Sequence, residues 1–145
     1  MSAAPRCRDE RASVLLLVPA ALLIVLVMAS IAVDMSLVHL RRRQAHDLAA
    51  AAANDAVTAA ADENSLRAGG YRVDPDRAQQ VVARIIAASD LAPDLAAPPS
   101  VRITGDSLVV EVSLHADYIF AGVIPGTPDG TTVTATASAT AAAGP

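Results

Sequence analysis

Few residues in this chain have the type and spacing to do chemistry. His39 and His46 are seven apart. On a helix they share a face but sit two turns apart, about 10 Å along the axis, too far to hold one metal ion without a bend. Cys7 is the only cysteine, so neither an intramolecular disulfide nor a thiolate cluster can form. No phosphate-cradling glycine loop, nucleophile elbow or clustered metal motif occurs. Gly69-Gly70 reads as a helix stop. The expectation is a protein that is not an enzyme and uses no cofactor or metal. The polar residue whose position most needs an explanation is Asp34. It directly follows an uncharged run, at a boundary where a carboxylate is costly if buried and ordinary if it reaches water. Its own helix offers no basic partner, since Val38 lies four residues on and Arg41 seven. Two roles stay open: an interface-facing residue that ends the apolar span, or half of an ion pair with a basic residue of an adjacent subunit.

The element that positions Asp34 is the run Ala12–Val33, ASVLLLVPAALLIVLVMASIAV. Its 22 residues carry no charge, and as a helix they extend about 33 Å, close to the hydrocarbon thickness of a bilayer. Pro19, about two turns in, is expected to kink the helix, which lipid-facing helices tolerate. A cleavable signal sequence is the competing reading, with Arg6, Arg8 and Arg11 leading it and a cut after Ala29 or Ala32. The run is longer than the usual apolar core of about 7–15 residues in such signals. The small-residue patterns before both cuts are imperfect, and Arg41-Arg42-Arg43 follows closely and resists translocation. A retained single-pass anchor in the plasma membrane is therefore expected. Three Arg lie on each side, so the positive-inside count is tied. The N-terminus is placed in the cytoplasm because residues 1–11 hold no foldable domain and the long C-terminal part does. Arg41, Arg42 and Arg43 are expected to meet anionic headgroups.

The charge follows the same division: residues 1–43 are net +3 and residues 44–145 net −7. An acidic outer part repels phosphates, so nucleic acid is not an expected partner. Hydrophobic residues make up 53% of the chain and aromatic residues only 2%, so little large-ring material is left for a core outside the membrane.

Beyond Val33 the helical pattern continues. Asp34 to Leu66 contains neither Pro nor Gly, and its alanine runs have the highest helix propensity. Leu37, Leu40, Ala45, Leu48, Ala52, Ala56 and Ala59 trace an apolar stripe. Leu48, Ala52, Ala56 and Ala59 offer a small-residue surface on which a neighbour could pack. A second helix is expected at about 75–90. Asp74 is its N-cap, Pro75 its first residue, and Ala78, Val81, Val82, Ile85 and Ile86 form its apolar face. Pro93, Pro98 and Pro99 are expected to form a linker. Alternation then predicts strands at about 101–104, 107–120 and 131–141, with a turn at Gly105-Asp106 and a loop from Gly122 to Gly130. The expected fold class is α+β: a long N-terminal helix (transmembrane 12–33, extracytoplasmic 34–66) and a small head (67–145). In the head, a second amphipathic helix and a three-stranded antiparallel sheet pack on the long helix, a pilin-like plan.

The stretch DERASVLLLVPAALLIVLVMASIAVDMSLVHLRRRQAHDLAAAAANDAV resembles the N-terminal region of TadE/TadG-like proteins of the tight-adherence (Flp) pilus assembly system. The resemblance is carried by Arg11-Ala12-Ser13, Pro19, Ala32-Val33-Asp34, the basic patch after it and the alanine-rich helix with Asn54-Asp55. It covers about residues 9–60, and the tail TVTATASATA looks like the final strand of actinobacterial members. No Gly precedes the apolar run and no Glu lies inside it; Glu10 comes before it. That departs from processed prepilins and favours the TadG-like branch. The resemblance implies a pseudopilin-like or TadG-like accessory subunit. Its partners would be membrane lipid and other pilus-assembly or pilin-like subunits, with a homo-oligomer also open. The rival expectation is a secreted or tethered binding domain with residues 1–32 as its signal sequence. It would capture a ligand through the Gly122–Gly130 loop with Tyr118 and Phe120.

Overall fold

The structure, a computed structural model, describes the backbone of residues 9–61, 72–104 and 107–140, and side chains from Leu17 onward. Cys7, the Gly69-Gly70 helix stop and the Gly105-Asp106 turn lie outside the described residues.

The chain is an α+β fold. Helix α1 (Asp9–Ala59) has 51 residues and contains Pro19 without a break in its assignment; at 1.5 Å per residue it is about 76 Å long. Helix α2 spans Pro75–Ala87. Three strands follow, β1 (Leu95–Thr104), β2 (Ser107–Asp117) and β3 (Gly130–Thr140), antiparallel in the order β1-β2-β3. The β2–β3 ladder runs without a shift from Ser107 opposite Thr140 to Asp117 opposite Gly130. Gly130 must be glycine on steric grounds: a Cβ there would run into the Ala116 carbonyl and the His115 ring, 2.8 Å from Nε2.

Strict alternation turns Leu108, Val110, Val112, Leu114 and Ala116 of β2 inward, with Val133, Ala135, Ala137 and Ala139 of β3 beside them. The outer face is hydroxyl-rich, and Ser113 Oγ and Thr134 Oγ1 hydrogen-bond across it at 2.9 Å. The inner face is covered by the outer half of α1 and by Ala78, Val82 and Ile86 of α2. Asp74 caps α2, its Oδ1 accepting the amides of Asp76 (2.9 Å) and Arg77 (3.3 Å).

Four boundaries differ from the sequence expectation, each for a tertiary reason. Helix α1 was expected to reach Leu66 but ends at Ala59. Ala60 is fully buried, Ala61 bridges Val73, and the Asp74 amide donates to the Ala60 carbonyl at 2.9 Å. That pairing brings α2 back onto α1 and ends the helix at Ala59; residues 62–66 lie outside the described set. Helix α2 stops at Ala87, where the Ala88 amide bonds the Arg84 carbonyl and Ser89 Oγ takes the Ile86 carbonyl at 2.7 Å. The segment expected to be a linker contributes to β1, which starts at Leu95 and includes Pro98 and Pro99. β1 is an edge strand whose register shifts on either side of Ala97, and such positions tolerate a missing amide hydrogen. β2 leaves the ladder at Asp117: the Tyr118 amide still bonds the Asp129 carbonyl, and the three amides after it turn to Asp34, as described below.

The alanines let helix and sheet approach closely, so the core has little room for larger side chains. Ala52→Leu should overpack it and cost about 1–3 kcal/mol. Ile86→Ala, at the largest buried side chain of α2, should cost about 2–5 kcal/mol through the cavity left behind. Denaturant unfolding of the full chain in detergent, followed by circular dichroism, checks both values.

Candidate functional site

Among the described residues, the first half of α1 leaves its large side chains out of the core. Its large side chains from Leu17 to Ile31 are exposed, and the helix is long and apolar enough to cross a membrane. A single apolar N-terminal helix of this kind is compatible with a membrane anchor or a signal sequence. Ser30 returns its hydroxyl proton to the Leu26 carbonyl at 2.8 Å, which leaves its donor satisfied without water.

Directly after this segment the head meets the helix at Asp34, which is only 6% exposed and is the only polar or charged residue among the buried described residues. Its carboxylate accepts three backbone amides from the segment that leaves β2. Oδ1 takes Ile119 at 2.9 Å and Phe120 at 3.1 Å, and Oδ2 takes Ala121 at 2.9 Å. The three donors converge because the chain turns into a short 3-10 turn at Ala121–Val123. Burial of the carboxyl works to raise its pKa. The Ala121, Phe120 and Ile119 amides favour the charged form and prevail, so the group sits below its ordinary value of 3.8. Asp34 directly follows the apolar run, and the partners that the structure gives its carboxylate are amides of its own chain. Nothing in the sequence around Asp34 points to donors 85 to 87 residues away.

Arg41 provides a second tie. Its guanidinium bonds Asp94 at 2.9 Å, just before β1, and Gln44 Oε1 at 3.3 Å. Both ionic side chains are about a third exposed, so the pair contributes about 0–1 kcal/mol. Arg41, expected to meet headgroups, has these two partners within the chain. Arg42 and Arg43 are exposed, as are His39 and His46. Arg42, His39 and Thr132 line an open groove between α1 and the foot of β3.

The expected small-residue packing surface is divided between the chain's own core and the outside. Ala52 and Ala56 are fully buried under the chain's own sheet and α2, Leu48 is half-buried against that core, and Ala59 is exposed. The buried seam lies at Ala45, Ala49, Ala52, Ala53, Ala56, Val57 and Ala60, so it is the chain's own head that takes it. The face of α1 left outward carries His46, Asp47, Asn54, Asp55 and Thr58. Among the described residues, no three His, Cys, Asp or Glu side chains are grouped to hold a metal ion. Tyr118 is half-buried and Phe120 exposed, beside the loop where a ligand was one expectation.

No protein-family model, curated protein or solved structure matches this chain.

The Asp34 contacts predict a pH-dependent tie. A carboxyl whose folded pKa lies below its unfolded value contributes stability above the unfolded value, and that contribution fades as pH falls through the folded one. Amide hydrogen exchange at Ile119, Phe120 and Ala121 should therefore be slow, relative to intrinsic rates, at pH 7 and pH 5. Protection should decay only below about pH 4. Asp34→Asn, which keeps an acceptor but not the charge, should lower protection there at both pH 7 and pH 5 and leave the β2–β3 ladder amides protected.

Proposed function

We propose that the chain is a single-pass membrane component of a tight-adherence (Flp) type pilus or a related secretion apparatus, a pseudopilin-like or TadG-like accessory subunit that performs no catalysis. The observation that carries this reading is the division of one continuous helix: a bare apolar half, then an outer half sheathed by a small sheet and a second helix. This is the plan of a subunit that stands in a membrane and presents a compact head outside it. The TadE/TadG-like resemblance of residues 9–60 adds the apparatus.

The N-terminus lies in the cytoplasm and the head outside the plasma membrane. The Asp34 contacts and the Arg41–Asp94 pair hold the head to the outer end of the span, so the head is carried at a set height. Because α1's alanine seam is occupied by the head, packing against pilin-like subunits or a second copy falls to the bare half of the helix. Small residues there, Ala20, Ala21, Ala29 and Ala32, allow close helix–helix approach. Membrane lipid is the other partner, and nucleic acid is not one.

Three measurements test the proposal. Deleting residues 12–33 should move the head from the membrane fraction to the soluble fraction. The mass of the mature chain should correspond to an uncleaved N-terminus; loss of about 30 residues would mark the run as a signal sequence and favour the secreted binding domain. Single cysteines placed from Leu22 to Met28 in a Cys7→Ser background should cross-link in cells to neighbouring subunits with a period of three to four residues. Uniformly absent cross-links would remove the packing role.

A further inference from the structure

The exposed large hydrophobic residues of the described chain fall into two groups. One is α1 itself, from Leu17 to Leu40. The other is a single short segment: Ile119 (56% exposed), Phe120 (45%), Val123 (79%) and Ile124 (58%). The other large hydrophobic residues of the described head are buried or half-buried, so among the described residues the second group is confined to the β2–β3 connection.

That connection sits beside the end of the apolar span. Asp34, the first residue after the run, binds its amides at 119, 120 and 121. β3 climbs α1 from there. Thr131–Thr134 line a groove with Met35, Val38, His39 and Arg42, and Thr134–Thr136 line one with residues from His39 to Asp47. The segment before Gly130 is thus the foot of the head, at the level of Asp34. Residues 118–128, YIFAGVIPGTP, carry no charge. Asp117 and Asp129 flank them at the neck, where the Tyr118 amide donates to the Asp129 carbonyl at 2.8 Å.

The loop also satisfies much of its own backbone. The Val123 amide bonds the Phe120 carbonyl, Ile124 bonds Ala121, and Thr127 bonds Ile124, at 3.1 to 3.3 Å. Thr127 Oγ1 turns to the Ala121 and Ile124 carbonyls. Asp34 takes three more amides. A segment with its polar backbone occupied, its apolar side chains outward and two aromatic residues has the properties that favour the boundary between headgroups and acyl chains.

We infer that the 119–124 loop is a second membrane contact, with Phe120, Val123 and Ile124 entering the outer leaflet of the phospholipid bilayer beside α1. The inference rests on the reading that residues 12–33 cross that bilayer. Its occupant is lipid because the exposed apolar side chains belong to an uncharged segment bound to Asp34, the residue that directly follows the apolar run. Asp34 then acts as the rivet between the two contacts, fixing the depth of the loop relative to the helix. With the head held at two points, its swing about α1 is restricted.

The test uses the full chain with Cys7→Ser, reconstituted in phosphatidylcholine–phosphatidylglycerol vesicles, with one environment-sensitive fluorophore per variant. Val123→Cys probes the loop tip, Ile24→Cys the mid-span, and Thr136→Cys the outer face of the sheet. The expected result is blue-shifted emission at 123 and 24, quenched by spin-labelled lipid and protected from iodide, with red-shifted, iodide-quenched emission at 136. Lipid quenching at 24 together with iodide quenching at 123 would overturn the loop contact while leaving the span, and would free the loop for a protein partner. Iodide quenching at both positions would overturn the span and the loop contact together. In the expected case, adding Asp34→Ala should shift emission at 123 to the red and leave emission at 24 unchanged.

Discussion

A carboxylate that directly follows a long uncharged helix must keep its charge solvated while the chain around it excludes water. Asp34 meets that constraint with three amides from the segment that leaves β2. The rest of the arrangement depends on this contact. It holds the chain that leaves β2 at Asp117 where it enters the Ala121–Val123 turn, ahead of β3. It also joins a residue of the first quarter of the sequence to the last. Because both ends of β2 are then defined, one by the ladder with β3 and one by Asp34, the sheet cannot slide along α1 without breaking charge-assisted hydrogen bonds.

The core that this contact positions is built almost without rings. Alanines of α1 face valines, leucines and alanines of β2 and β3, and each side chain buries little area. Close approach of helix and sheet compensates by packing density, and the low aromatic content becomes intelligible: large side chains would hold the layers apart. The few aromatic residues of the described head, Tyr118 and Phe120, are at its foot, next to the span. Hydrophobic surface in this molecule thus serves two environments. Alanines and valines, with Ile86, Leu108 and Leu114, fill the described interior, and the exposed large hydrophobic residues are confined to α1 and the β2–β3 connection.

A head fused to its own helix over more than half of the helix's outer length has consequences for assembly. The alanine seam that would suit another subunit is filled from within, and the outward face of α1 in the head is polar. Contacts with neighbours are thereby directed to the bare apolar half of the helix or to the surfaces of the head. Under the proposed function, lateral organisation and surface presentation would use different parts of one chain.

Much of this was legible in residue order, because it depends on local periodicity. The uncharged run at 12–33, the N-cap at Asp74, the apolar face of α2 and the inward sets of β2 and β3 all follow from spacings of a few residues, and the α+β class follows from them. What only the tertiary structure decided are pairings between distant segments. The partner of Asp34 comes from backbone amides, which have no sequence signature. The end of α1 at Ala59 follows from the bridge of Ala61 to Val73, and the prolines of β1 are accommodated because it is an edge strand. Alanine spacing identifies a surface made for close packing but not what packs on it, since a small residue accepts the chain's own sheet as readily as a neighbour. Here the head occupies that surface, because Asp34 and the β2–β3 ladder bring it there within the same chain.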